Sequence, residues 1–315
     1  MLDRFVIMTA KKPISLGFIG TTGSLFKQTF SEWLADKAPQ LGAALAYYTV
    51  FSLAPLVIVL LAIVGFIFRN DPAGAWQRVT EQMSYFLDRS AVEVVQNIAA
   101  QASHPSKGLA ATVLGIALAL FGASGVFGQL QDALNTIWGV KPKPGAGIAG
   151  YLRTRFLSFA LVAGICFLLL VSLTIETVLK SLSHYLQSLF PGGLVLAMIV
   201  YLVFDLAIVT LFFAIIFKFL PDAKVRWRDV WFGAFMTAVF FAIGKWALGL
   251  YLSSGSAASA YGAASSLITL LLWVYYSSQI LLFGAEFTQV WSDRFGGAIE
   301  PSPNAVKAGT EQAGQ

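Results

Sequence analysis

A chain of 315 residues that is 57% hydrophobic and only 12% charged, with a mean hydropathy of +0.73, lies outside the range of soluble domains. The formal net charge of +5 does not mark a nucleic-acid binder, because the basic residues fall in short loops between apolar runs rather than on one face. A single cysteine, Cys166, excludes an intrachain disulfide, and the two histidines, His104 and His184, are too few and too isolated for a metal cluster.

Residues 1–20 contain Asp3 and a Lys11-Lys12-Pro13 break where a signal peptide would keep a clean apolar run, so this segment is expected to be retained and not to span a membrane. Residues 22–40 place Leu25, Phe26, Phe30, Trp33 and Leu34 on one helical stripe, which predicts a helix lying in the membrane interface. Residues 41–68 then run for twenty-eight residues without a charge. At about 1.5 Å per residue this is about 42 Å of helix, more than the roughly 30 Å of a bilayer's hydrocarbon, so the first expected span must tilt. Pro55 removes one backbone hydrogen bond from its middle, and Thr49 and Ser52 stand within two turns before it, placed to take up freed carbonyls.

Residues 69–107 form a hydrophilic loop in which Asp71-Pro72 starts one helix and Ser90 with Glu93 reads as a capping box for a second. Trp76, Val79, Met83 and Phe86 give the first helix an apolar stripe, which predicts a hairpin packed on the mouth of the bundle; a substrate-gating lid is the alternative. The second span, 108–128, has small residues at four-residue spacing (Ala111, Gly115, Ala119, Ala123) that let backbones approach closely. The stretch LQDALNTIWGV after it reads as a short interfacial helix ending near Trp138. Further spans are expected at 156–178, 194–217, 230–252 and 265–290, and the polar, aperiodic residues 293–315 are expected to be disordered.

Six spans put both termini on one side. The loops of that side carry fifteen Lys and Arg and those of the other five, which by the positive-inside rule places the termini in the cytoplasm and the hairpin outside. The expected architecture is an all-α polytopic integral membrane protein: a cytoplasmic segment over 1–40, a six-helix domain over 41–292 and a disordered tail.

The segments ALAYYTVFSLAPLVIV, LNTIWGV, KFLPDAKVRWRDVWFGAF and AYGAASSLITLLLWVYYSSQILLFGAEFTQV, in this order, resemble the YihY/virulence factor BrkB family of bacterial inner-membrane proteins. The resemblance covers all but the tail and the extreme N-terminus. It implies a six-helix inner-membrane fold without an established reaction, and it links some members to serum resistance and others to export of lipid or lipopolysaccharide precursors. An older label for the family, a tRNA-processing ribonuclease, is opposed by the residues. A zinc-dependent nuclease of the metallo-hydrolase type needs several clustered His and Asp ligands, and both histidines here fall in the expected outer loops.

Gly122-Ala123-Ser124-Gly125 looks like the GxSG nucleophile motif of rhomboid intramembrane proteases, but no span carries a histidine base for Ser124, and helix packing accounts for the small residues. No catalytic residue, metal site or cofactor is expected, and no GxxxxGK[ST] nucleotide-binding loop occurs. The informative groups are ionisable ones at depth, which are costly in lipid unless paired or hydrated. Asp205 in the fourth span and Lys245 in the fifth come within reach of one another, either pinning two helices or leaving Asp205 as a proton or cation site in a polar cavity.

In the sixth span Ser265, Thr269, Tyr276, Gln279 and Glu286 share an arc of about 100° at 3.6 residues per turn. Such a face either knits helices together or, with Tyr48 and Ser52 of the first span, lines a substrate or ion path. Glu286 has potential partners in Arg153, Arg155, Arg226 and Arg228; with Lys224 these arginines form a basic rim that could instead hold anionic headgroups. The expectation is a transporter or flippase-like protein for a lipid or other amphipathic anionic substrate in envelope biogenesis, with membrane lipids as partners and no nucleic acid. The alternative is a non-transporting scaffold that docks an envelope protein through residues 69–107.

Overall fold

The computed structural model describes residues 18–86, 89–102, 125–143, 193–253, 265–297 and 299–308. In chain order the elements are α1 (Phe18–Ala35), α2 (Ala38–Ile67), α3 (Pro72–Phe86), α4 (Arg89–Ala102), α5 (125–137), β1 (Val140–Pro142), α6 (Gly193–Phe219), β2 (Ala223–Lys224), α7 (Trp227–Ser253), α8 (Ser265–Phe295), β3 (Glu300–Pro301) and β4 (Ala305–Lys307). Among the described residues, three helical segments are long and apolar enough to cross a membrane: Ile199–Phe219, Trp227–Leu248 and Leu267–Phe295. They fall on the expected fourth, fifth and sixth spans. The first is the helix α2, uncharged and unbroken through Pro55. The expected third span, and the second as far as Ser124, lie outside the described residues, as do Ser124 itself, Cys166 and both histidines.

The corner between α1 and α2 is set by local chemistry. Lys37 adopts φ 55°, a left-handed conformation that ends one helix, and Pro39 in the first turn of α2 starts the next where its missing N–H costs nothing. The apolar stripe of α1 is divided rather than uniform: Leu25 and Thr29 are buried, whereas Phe30 and Leu34 are half exposed. Phe26 stacks between Phe240 of α7 and Phe287 of α8, so α1 packs on the bundle through that side.

α7 and α8 cross in close contact. A Cβ added to Gly233 would overlap Thr288, and one added to Gly284 would overlap Thr237, so the two helices approach at a pair of glycines facing a pair of threonines. Each threonine hydroxyl donates to the glycine carbonyl one turn back on its own helix, Thr237 to Gly233 and Thr288 to Gly284, both at 2.7 Å. Both threonine hydroxyls of the crossing are thereby satisfied. On its other side α7 packs Val230, Ala234 and Ala238 into one buried core with Phe213, Ala214 and Phe217 of α6. Large apolar side chains that face outward, such as Phe51, Phe66, Leu202 and Trp246, are 65–70% exposed, a surface suited to lipid.

Two expectations are corrected. The LQDALNTIWGV stretch is not a separate surface helix: α5 is continuous over 125–137, and Ala133, Leu134, Ile137 and Trp138 are buried against α6, with Trp138 Nε1 donating to the Ala285 carbonyl. The segment after residue 298 is ordered through residue 308, not disordered. β4 pairs antiparallel with β1 (Val140 with Lys307) and β3 with β2 (Lys224 with Glu300), and Ser302 N–H donates to Asp222 O. These strands are two or three residues long, too short to carry a periodicity of their own; the loops after α5 and α6 supply the partners. They add four short strands to an otherwise helical fold.

Asp222 is the knot of this clamp. Its carboxylate accepts from Gln131 Nε2 (3.0 Å) and Asn135 Nδ2 (3.1 Å), and its own N–H donates to Asn135 Oδ1 (2.8 Å). At the opposite end of α2, the hairpin α3–α4 buries Ala75, Val79, Val95 and Ala99 against Val57 and Val64. Asp71 Oδ1 accepts from Gly74 N–H as the start of α3 requires; the side chain of Ser90 lies outside the described residues.

Two stability outcomes follow. Gly284→Ala should cost about 1–3 kcal/mol through forced separation of α7 and α8, and adding Thr237→Ala should recover part of it, measured as melting temperature in detergent. Asn135→Ala should cost about 1–3 kcal/mol, because it strips the buried partner from the Asp222 N–H and one donor from its carboxylate.

Candidate functional site

The polar arc of α8 forms as a single face, and its two edges look at different neighbours. Tyr276 lies against Gly244 of α7, where a Cβ would meet its hydroxyl. Gln279 lies against Gly42 of α2 and its Nε2 donates to the Pro39 carbonyl at 3.5 Å, while its Oε1 is buried without a donor. Thr269 is buried at 7% exposure on the same face. The face therefore opens onto the seam between α7 and α2. Tyr48 and Ser52 lie beside Gly125 of α5.

Glu286, two turns beyond Gln279, is 0% exposed, and no N–H or O–H of the described residues donates to either of its oxygens. Of the expected arginine partners, Arg226 is engaged elsewhere. Its Nε bonds Asp229 at 2.9 Å, and Asp229, buried in the first turn of α7, also accepts from Ser292. What acts on Glu286 is a second acid. Asp36, at the α1–α2 corner, lies within hydrogen-bond reach, a contact that requires a proton on one carboxyl since neither carboxylate can donate. Glu32, one turn earlier on α1, adds a third negative group. Burial holds the Asp36 carboxyl above its usual range, the hydrogen bond to Glu286 pulls it back in part, and Glu32 pushes it up further.

The sequence gives no sign of this acid cluster, because its members stand 250 residues apart. A polar relay closes it on the α1 side: Arg294 of α8 donates through Nε to Gln28 Oε1 (2.9 Å) and through Nη1 to Ser24 Oγ (2.8 Å), and Gln28 Nε2 donates to Glu32 (2.6 Å).

Asp205 and Lys245 do come together. Both line one crevice between α6 and α7, with Leu206, Val209, Ala238, Phe241 and Ala242, and each acts electrostatically on the other. Its volume of about 20 Å³ is enough for a water molecule. At the loop end, Lys224 and Arg228 are exposed beside the Arg226–Asp229 pair; Arg153 and Arg155 lie outside the described residues.

Sequence relationships agree with this picture of apolar helices around a few polar groups. The family described as Virulence factor BrkB matches residues 29–308. The chain belongs to that family. Among its relatives are proteins named UPF0761 membrane protein from Pseudomonas paraeruginosa (30% identical over 262 residues, 80% of this chain and 59% of the relative), Azotobacter vinelandii (28%, covering 83% and 61%) and Tolumonas auensis (28%, covering 80% of each). The chain thus spans about three fifths of the length of the first of these relatives. No solved structure matches it. Its helices and its BrkB-family relatives together make it a membrane protein.

Asp36 carries a pH dependence whose sign is fixed. A folded-state value above the unfolded one means the folded protein holds more protons from about pH 4 upward, so stability falls as pH rises through that window. Asp36→Asn, which cannot titrate, should therefore melt higher than the wild type at neutral pH and lose that advantage near about pH 4, read by thermal denaturation in detergent at both pH values.

Proposed function

We propose that this BrkB-family protein is a six-span inner-membrane transporter or flippase-like protein, with both termini in the cytoplasm, that moves a lipid or other amphipathic anionic substrate during envelope biogenesis. The observation that carries the reading is the crevice between α6 and α7 that Asp205 and Lys245 line together. A carboxylate and an ammonium held in apolar helices are expensive there unless water or a polar ligand shares the space, and the crevice has that room. The polar arc of α8 supports the same reading, since Tyr276 and Gln279 look into the seam between α7 and α2 rather than outward. Exposed Lys224 and Arg228 would attract headgroups at the loop end, with Arg153 and Arg155 as further candidates.

The scaffold reading draws on α3–α4. That hairpin buries its apolar side on α2 and leaves Asp71, Arg78, Glu81 and Glu93 exposed, a charged face available to an envelope protein.

The two readings part on Asp205→Asn. In proteoliposomes carrying a fluorescent anionic phospholipid, the wild type should expose the probe to an external quencher faster than empty vesicles do, and Asp205→Asn should cut that rate about tenfold with an unchanged melting temperature. A wild type no faster than empty vesicles, with the cellular phenotype intact in Asp205→Asn and lost when the exposed hairpin charges are replaced, would favour the scaffold.

A further inference from the structure

The Asp36–Glu286 contact lies apart from the crevice and has a different chemistry. Glu286 is completely enclosed, and neither oxygen receives a donor from the described residues. An ionised carboxylate in such a place would forfeit its hydration with no compensating bond. The close α7–α8 approach at Gly284 and Thr288 brackets Glu286 in sequence. The neighbours that face it, Asp36 and Glu32, are both acids and offer no positive charge.

The other charges on the elements packed around it are engaged or turned away. Arg294 bonds Gln28 and Ser24, Arg226 and Asp229 bond each other, and Lys37 is exposed in the left-handed turn. α2 has no charged residue from Ala38 to Ile67. A metal ion is a poorer occupant than a proton, because among the described residues no group of three or more His, Cys, Asp and Glu is placed to hold one.

We infer that Glu286 and Asp36 form a proton-binding site: one proton, resident on the enclosed Glu286 and donated as an O–H···O bond to the half-buried Asp36, ties the α1–α2 corner to α8. The site stands whether or not the chain moves a lipid. Removing the proton places two, and with Glu32 three, negative groups together with no basic side chain of the described residues bonded to Glu286, and the corner is the side that can yield. α1 meets α8 there through long side chains, whereas α7 and α8 meet where glycines lie directly under threonines.

The experiment is infrared difference spectroscopy of the full-length protein in lipid nanodiscs, titrated from neutral to alkaline pH with ¹³C-labelled glutamate and aspartate measured separately. A protonated glutamate carboxyl band should be present at neutral pH, disappear on alkalinisation and be missing from Glu286→Gln, which keeps the size and the donor of the protonated acid. Asp36→Asn, which retains Glu286 but removes the facing charge, should shift the loss of the band to lower pH by about one unit or more. No protonated glutamate band in the wild type, or a band unchanged in Glu286→Gln, overturns the site. Should Glu286→Gln fail to fold, Asp36→Asn decides alone, and an unmoved titration overturns it. Lipid translocation is not read in any arm, so failure here leaves the transport reading to its own test.

Discussion

The described structure hangs on how closely α7 and α8 approach each other. Two Gly-x₃-Thr units, Gly233 to Thr237 and Gly284 to Thr288, are packed antiparallel so that each glycine lies under the other helix's threonine. The hydroxyls return to their own backbones at the glycine carbonyls, so the contact needs nothing from solvent. Lipid gives helices no hydrophobic reason to associate, and close backbone contact between self-satisfied surfaces is what remains to hold them. Glu286 stands between Gly284 and Thr288. Its side chain, two residues from each, falls on the other side of α8 and meets the α1–α2 corner.

The two ionisable places in the bundle follow opposite electrostatic logic. Asp205 and Lys245 have opposite charges and share a crevice with room for water. Glu286, Asp36 and Glu32 are acids brought to one corner, where among the described residues no basic side chain bonds Glu286. The first place pairs opposite charges beside room for water; the second sets acid against acid.

Much of the fold was readable from hydropathy alone. The apolar runs of α2, α6, α7 and α8 are long and uncharged enough that no soluble packing could cover them, and the polar arc of α8 emerges from a count of 3.6 residues per turn. The reach between Asp205 and Lys245 was legible because depth in a straight helix is arithmetic. What stayed hidden depends on partners far away in the chain. Asp36 meets Glu286, Arg226 turns to the nearby Asp229 instead, and the tail acquires strands because the loops after α5 and α6 present edges to it. The Gly–Thr crossing was hidden for another reason. Its small residues occur in both helices, but nothing in either sequence says that those faces meet.

The same contrast shows which part of the molecule is fastened and which is merely held. α6, α7 and α8 are joined by a buried apolar core and by the glycine crossing, and the loop ends of α5 and α6 are knotted at Asp222 by hydrogen bonds from Gln131 and Asn135. The α1 helix is attached by aromatic contacts through Phe26 and by a chain of polar groups running from Arg294 through Gln28 to Glu32. Side-chain contacts of this kind rearrange without unpacking a core, while a backbone crossing cannot. With its exposed Phe30 and Leu34, α1 also retains an apolar edge that the bundle leaves uncovered. The turn at Lys37 joins α1 directly to the start of α2, so the corner that carries Asp36 is covalently continuous with the helix that Gln279 of α8 touches.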